Sequence, residues 1–338
     1  MSHGRVCIVG AGRMGEGMAT AFIHAGLEVT LIDFKVRPEA AAQAYFDQVR
    51  LNVQAELQVL VSLGSIGPQQ VEQALGRLRV CGRDQAVPDL ARCSWVFEAV
   101  PEVIEAKSQC FGWLSEHCSR QAVIASTTST FLVTELAQWV EHPERFVNAH
   151  WLNPALLMPL VEVSCSPQTD DAVVSRLMQL LRDIGKVPVK CAPAAGYIVP
   201  RIQALAMNEA ARMVEEGVAS AEDIDTAIRV GFGLRFSVLG LLEFIDWGGG
   251  DILLYASQYL AGAIDPRFTA PQVISDNMVQ GRNGLRDGRG FYDYSATDVP
   301  AYRLQRLSEL SSRLQLMGLM PRFNCAEQAG VGSAPQES

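Results

Sequence analysis

A chain of 338 residues is longer than one small core usually fills, so two domains are expected, and its 49% hydrophobic content supplies ample core. A formal net charge of −9 and a pI near 5.2 argue against nucleic acid or another polyanion as partner. A strand starts almost at once and no uncharged apolar run reaches the length of a membrane helix, so the sequence is read as a cytoplasmic protein with neither cleavable signal nor membrane span.

In chain order, Arg5 to Val9 is a short apolar run typical of a buried parallel strand, and it feeds into Gly10-Ala11-Gly12-Arg13-Met14-Gly15. A helix from Met14 to Ala25 ends at Gly26, and Glu28 to Asp33 is a second strand. Residues 38–63 and 68–79 read as two helices broken at Gly64 to Pro68, a helical hairpin inserted after the second strand. Strands are expected at Trp95 to Val100, Ala122 to Ala125, Phe146 to Ala149, Leu160 to Ser164 and Val187 to Cys191. Helices are expected at Ile104 to Cys118, Leu132 to Trp139 and Asp171 to Ile184. This alternation implies an α/β fold with a Rossmann-type doubly wound sheet.

Ala192 to Gly196 reads as a linker, and the pattern beyond it is helical to about Gly318, with a glycine-rich turn at 281–290. The expected division is therefore 1–191, a nucleotide-binding domain; 192–326, an all-helical domain for substrate and dimerisation; and 327–338, a small, polar, disordered tail. The eight cysteines (Cys7, Cys81, Cys93, Cys110, Cys118, Cys165, Cys191, Cys325) form no Cys-x-x-Cys, so they are read as reduced packing residues with neither disulfide frame nor metal site.

Three glycines alone are a weak signal, but here they join a strand to a helix. Gly10 permits the tight turn, Gly12 lets backbone approach a pyrophosphate, and Gly15 lets the helix pack on the strand. The helix start at Arg13 and Met14 offers free N–H groups to the anion. Asp33, at the end of the second strand, is placed to accept hydrogen bonds from an adenosine ribose, which favours NAD over NADP, although Lys35 and Arg37 stand just beyond it.

His150 is the one histidine of five at the end of a strand-like run, and Glu162 follows in Met158-Pro159-Leu160-Val161-Glu162-Val163. An imidazole titrates near neutrality and can take a proton from a hydroxyl, provided a partner fixes its tautomer and stabilises its cation. Glu162 can do both; a core histidine with both nitrogens satisfied is the competing reading.

Together with Glu98-Ala99-Val100-Pro101-Glu102, Ala125-Ser126-Thr127-Thr128-Ser129, His150-Trp151-Leu152-Asn153-Pro154 and Gly288-Arg289-Gly290-Phe291-Tyr292, these motifs resemble the L-3-hydroxyacyl-CoA dehydrogenase family from about Arg5 to Tyr294. Relatives there include 3-hydroxybutyryl-CoA, carnitine and gulonate dehydrogenases. The resemblance implies that His150 is the base, that Glu162 holds it, and that Ser129 touches substrate and nicotinamide. It also implies cofactor contacts at Glu102, Lys107, Asn153 and Arg286. The expected reaction is reversible, NAD-dependent oxidation of a 3-hydroxyacyl-CoA to the 3-oxo product.

Departures bear on the substrate. The family's Gly-Phe-Ile-Val-Asn-Arg reads Gly196-Tyr197-Ile198-Val199-Pro200-Arg201 here, and Pro200 cannot supply the asparagine amide. No lysine lies between Lys35 and Lys107, which leaves Arg50 as the hairpin's candidate contact for coenzyme A. Arg235, after a glycine turn as in the carnitine and gulonate branches, could pair with a free carboxylate. Two alternatives therefore stay open: a dehydrogenase of a small free 3-hydroxy acid, and a catalytically silent NAD-binding structural or sensing protein. The partner expected is a small-molecule substrate. A homodimer is expected from the resemblance and from the apolar run Phe236 to Ile245.

Overall fold

In Val6–Val9 (β1) every side chain is buried, and alternate residues serve opposite faces: Val6 and Ile8 join one hydrophobic cluster, Cys7 and Val9 another. That two-sided burial sets the architecture of the first part of the chain. The computed structural model describes residues 4–321. After β1 come α1 (Arg13–His24), β2 (Val29–Asp33), α2 (Glu39–Ser62), α3 (Pro68–Leu75), β3 (Leu78–Gly82), α4 (Arg83–Leu90), β4 (Trp95–Glu98), α5 (Ile104–His117), β5 (Val123–Ser126) and α6 (Val133–Leu136). Then follow β6 (Phe146–Trp151), β7 (Leu160–Cys165), α7 (Asp171–Asp183), β8 (Val187–Cys191) and α8 (Val199–Glu215).

The eight strands form one sheet in the order β3-β2-β1-β4-β5-β6-β7-β8. The first six positions are the doubly wound order that places a crevice between the carboxyl ends of β1 and β4. One core lies beneath α1, α2, α3 and α7, with Phe22, Phe97 and Trp151 at its centre. The other lies beneath α4, α5 and α6, around Phe111 and Phe146. The doubly wound reading with an inserted helical hairpin is borne out.

Three details correct the sequence reading. The helix expected over 68–79 stops at Leu75, because β3 starts at Leu78 and pairs parallel with β2; only Leu78 and Cys81 of that strand are buried, so it lacks the continuous apolar run. Helix α4 was also not expected. Its Pro88 lies inside the helix, a residue that reads as a breaker. Finally, β6 runs on through His150 to Trp151, and β7 pairs with it antiparallel, Trp151 opposite Val161 and His150 opposite Glu162.

Backbone contacts divide the chain into Met1–Asn208 and Glu209–Ser338. The described part of the second unit is helical: α9 (Ala221–Ala227), α10 (Leu234–Phe236), α11 (Leu241–Gly248), α12 (Gly250–Ala263), α13 (Gln272–Val279) and α14 (Val299–Leu316). Its buried hydrophobic residues are few, namely Ile224, Leu239, Ile274, Leu285 and Tyr294. The expected tail at 327–338 lies outside the described residues.

The Gly288-to-Tyr292 motif is explained by Asp246, buried on α11. The carboxylate accepts the N–H of Phe291 at 3.0 Å and of Tyr292 at 2.9 Å, satisfying a buried charge with backbone donors. A side chain at Gly290 would meet that carboxylate: a Cβ there would stand 2.1 Å from Asp246 Oδ1. Gly290→Ala is expected to cost about 1–3 kcal/mol of stability, measured as a lower denaturation midpoint.

Candidate active site

At the crevice between β1 and β4, Gly10 turns with φ +114, and a Cβ there would lie 2.3 Å from the Ala99 carbonyl oxygen. The two loops therefore abut as only glycine allows. A Cβ on Gly15 would stand 1.9 Å from the Gly10 carbonyl oxygen, whereas around Gly12 nothing lies within 4 Å. Gly12 caps α1 with no side chain bonded to the helix end, so its first N–H groups face open space. A cavity of about 700 Å³ runs from this loop, with Arg13 and Met14 in its wall, to Asp33. A dinucleotide's pyrophosphate fits this cradle.

At the adenosine end, Asp33 is already engaged. Its Oδ2 receives Arg37 Nε at 2.5 Å and its Oδ1 the Lys35 N–H at 3.2 Å. The Arg37 guanidinium lies 4.0 Å over the Tyr45 ring, and the Tyr45 hydroxyl donates to the Ala11 carbonyl at 2.6 Å, closing this end of the cradle.

At the other end, a cavity of about 440 Å³ shares Arg13, Met14 and Ala99 to Pro101 with the first and adds Glu102, Ser129, His150 and Asn153. The alternation of β6 puts Val147, Ala149 and Trp151 in a core and turns Asn148 and His150 to the opposite face. On β7 the same alternation buries Val161 and Val163 and presents Glu162 beside His150. His150 Nδ1 and Glu162 Oε2 are 2.9 Å apart, and Glu162 Oε1 accepts the N–H groups of Ile198 and Val199 at 2.8 and 2.9 Å. With Nδ1 held by the carboxylate, the lone pair for substrate is on Nε2.

Ser129 is positioned by Glu102, whose Oε1 accepts the Thr128 hydroxyl at 2.5 Å and the Ser129 and Thr130 N–H groups at 3.0 Å each. Burial alone would raise the Glu102 carboxyl, but the Thr128 hydroxyl and the Lys107 ammonium outweigh it and hold the group below its usual range. Lys107 itself is 1% exposed. It sits behind the site, with Nζ 2.9 Å from Glu98 Oε1 and 3.1 Å from Glu102 Oε2. Its ammonium is enclosed by carboxylates and lines neither cavity, so it acts through Glu102. Glu98 is fully buried, and burial pushes its carboxyl up against the opposing pull of Lys107 and of the Ser126 hydroxyl at 2.5 Å.

The structure thus gathers Gly10, Gly12, Arg13, Met14, Asp33, Glu102, Ser129, His150 and Asn153 along two adjoining cavities of the first unit, with Gly15 packed beneath the loop and Glu162 and Lys107 behind the lining residues. Arg50 is elsewhere, exposed on α2 and donating to the Leu78 carbonyl at 3.2 Å. In the second unit, Arg235 lies 4.8 Å over the Phe244 ring, and Arg286 pairs with Asp251 at 2.7 Å. The sequence reading missed Tyr45, Glu98, Thr128 and Tyr197. Glu98, Thr128 and Tyr197 lie in quoted motifs, but their roles depend on partners distant in sequence; Tyr45 gave no signal, because its hydroxyl bonds a backbone carbonyl.

A nucleotide cradle on a doubly wound sheet, ending at a histidine held by a carboxylate, defines an NAD-dependent oxidoreductase acting on CH–OH. Residues 5–194 match the NAD-binding domain of 3-hydroxyacyl-CoA dehydrogenase and residues 196–294 its C-terminal domain, and the chain belongs to that family. It is 32% identical to a 3-hydroxybutyryl-CoA dehydrogenase of Mycobacterium tuberculosis, over 86% of this chain and 98% of that protein. The 3-hydroxyacyl-CoA dehydrogenase structure from Archaeoglobus fulgidus is 31% identical, with a TM-score of 0.73, over 94% of this chain and all of that one. A 5-formyl-3-hydroxy-2-methylpyridine 4-carboxylate 5-dehydrogenase of Mesorhizobium japonicum is 28% identical over 90% of this chain and 95% of that protein.

Removing Lys107 would leave Glu98 buried without its counter-charge. Lys107→Met is expected to lower stability by about 3 kcal/mol, and adding Glu98→Gln to recover part of it, as read by denaturant titration of both variants.

Proposed function

We propose that the chain oxidises the 3-hydroxyl of a 3-hydroxyacyl-CoA such as 3-hydroxybutyryl-CoA, reversibly, with His150 as the base. The observation that carries this is the 2.9 Å contact of His150 Nδ1 with Glu162, which leaves the second ring nitrogen free in the cavity that also holds Ser129. Bound NAD supplies the hydride acceptor. The hydroxyl proton passes to His150 Nε2 as the carbinol C–H bond breaks and the carbonyl forms, and Glu162 stabilises the resulting imidazolium. Ser129, held by Glu102, orients the substrate oxygen and acts by position. Glu102 and Asn153 border the nicotinamide end and Asp33 the ribose end.

A second reading, a small free acid as substrate, is favoured by Pro200, by the hairpin's lack of lysine, and by the pyridine carboxylate named for the Mesorhizobium relative. Arg235 would supply the guanidinium for it. NADH formation is expected with 3-hydroxybutyryl-CoA and to be at least tenfold weaker with free 3-hydroxybutyrate, carnitine or gulonate; turnover of the free acids alone would reverse the order. His150→Ala is expected to lower kcat by about 10²–10⁴-fold with NAD binding retained, followed by nucleotide fluorescence.

We read the protein as a cytoplasmic homodimer built through its helical unit. The seven described cysteines are free, as in a reducing compartment. On α12, Ile252, Tyr255 and Tyr259 share one face and are each more than 60% exposed, over a unit with little buried core. Light scattering is expected to give twice the 36.8 kDa chain mass, and Tyr259→Glu to reduce it to one chain.

A further inference from the structure

Gly196 to Val199 reach the dyad and the Ser129 turn together. Tyr197 is the one non-glycine residue of positive φ among the described residues, at +46, a conformation such residues seldom adopt unless surroundings impose it. Just beyond that turn, the N–H groups of Ile198 and Val199 bond Glu162 Oε1. The phenol ring lies almost parallel to the His150 imidazole, with centroids 4.9 Å apart and planes 15° apart. Its hydroxyl donates to the Thr128 carbonyl at 2.8 Å and accepts from Asn148 Nδ2 at 3.0 Å. Burial pushes the phenol above its usual range, so it remains a donor.

A single bond to Glu162 fixes one atom of the imidazole and leaves the ring free to tilt about it. A flat aromatic surface removes that freedom, and its negative π face favours the cation over the neutral ring. Thr128 precedes Ser129, so the hydroxyl grips from one side the turn that Glu102 grips from the other.

We propose that Tyr197 is a positioning residue for the dehydrogenase reaction, its ring setting the plane of His150 and favouring the imidazolium, its hydroxyl fixing the turn that carries Ser129. This rests on the reading of His150 as base. Among the described residues, the titratable and charged groups around His150 and its two partners include Glu162 on β7, Tyr197 itself, Cys191 at the end of β8, and Arg13 and Glu102 across the cavity.

The test compares the full chain with Tyr197→Phe and Tyr197→Leu, using 3-hydroxybutyryl-CoA and NAD across a pH series. Tyr197→Phe keeps the ring and is expected to lower kcat/KM about three- to tenfold with the acid limb unmoved, a loss that falls below about twofold when Ser129→Ala is already present. Tyr197→Leu is expected to shift the acid limb to lower pH by about half a unit as well. A phenylalanine variant equal to the parent, or a loss additive with Ser129→Ala, overturns the hydroxyl's role. An acid limb shared by the leucine and phenylalanine variants overturns the ring's role. Tyr197→Met replaces the leucine variant if that chain does not fold. His150→Ala separates the two readings: retained turnover removes the base assignment, whereas its loss beside parent-like Tyr197 variants removes only this inference.

Discussion

The antiparallel pairing of β6 and β7 is the constraint on which the site depends. Because β7 runs against β6, His150 and Glu162, twelve positions apart, become direct cross-strand neighbours. The hydrophobic core enforces that register. Trp151, Val161 and Val163 fill the cluster beneath α1 and α7, and a slip of one residue would exchange the faces, driving His150 into the apolar side. The dyad's geometry is therefore protected by the free energy of packing on the other side of the sheet.

Around the dyad, carboxylates act as acceptors that organise backbone. Glu102 binds the turn of Ser129, Glu162 binds the first N–H groups after Tyr197, and Asp246 in the second unit binds the turn after Gly290. Each takes up backbone N–H groups at a turn or at a helix start. Sites built this way keep their reacting groups in place before substrate arrives, which is the condition for catalysis by orientation.

Much of this was legible in the sequence because it rests on local periodicity. The strand-loop-helix at Val6 to Gly15, the acidic end of β2 and the strand-like runs before His150 and around Glu162 are short-range patterns. What escaped notice depends on long-range partners. Strand β3 is only half buried and its apolar pattern is broken, so its strand character comes from pairing with β2. The direction of β7 is invisible in its own residues. Tyr197 is recognisable only once Thr128, Asn148 and His150 are brought around it. The inward turn of Lys107 likewise follows from Glu98, whose burial has no mark in composition.

The Glu98 and Lys107 pair also limits which single substitutions this chain can accept. Loss of Lys107 leaves Glu98 buried without its counter-charge, whereas loss of Glu98 leaves Lys107 with Glu102 as its remaining carboxylate. The electrostatics behind the cofactor cradle therefore act as a brace for the Ser129 turn, transmitted through Glu102 and separate from any contact with substrate.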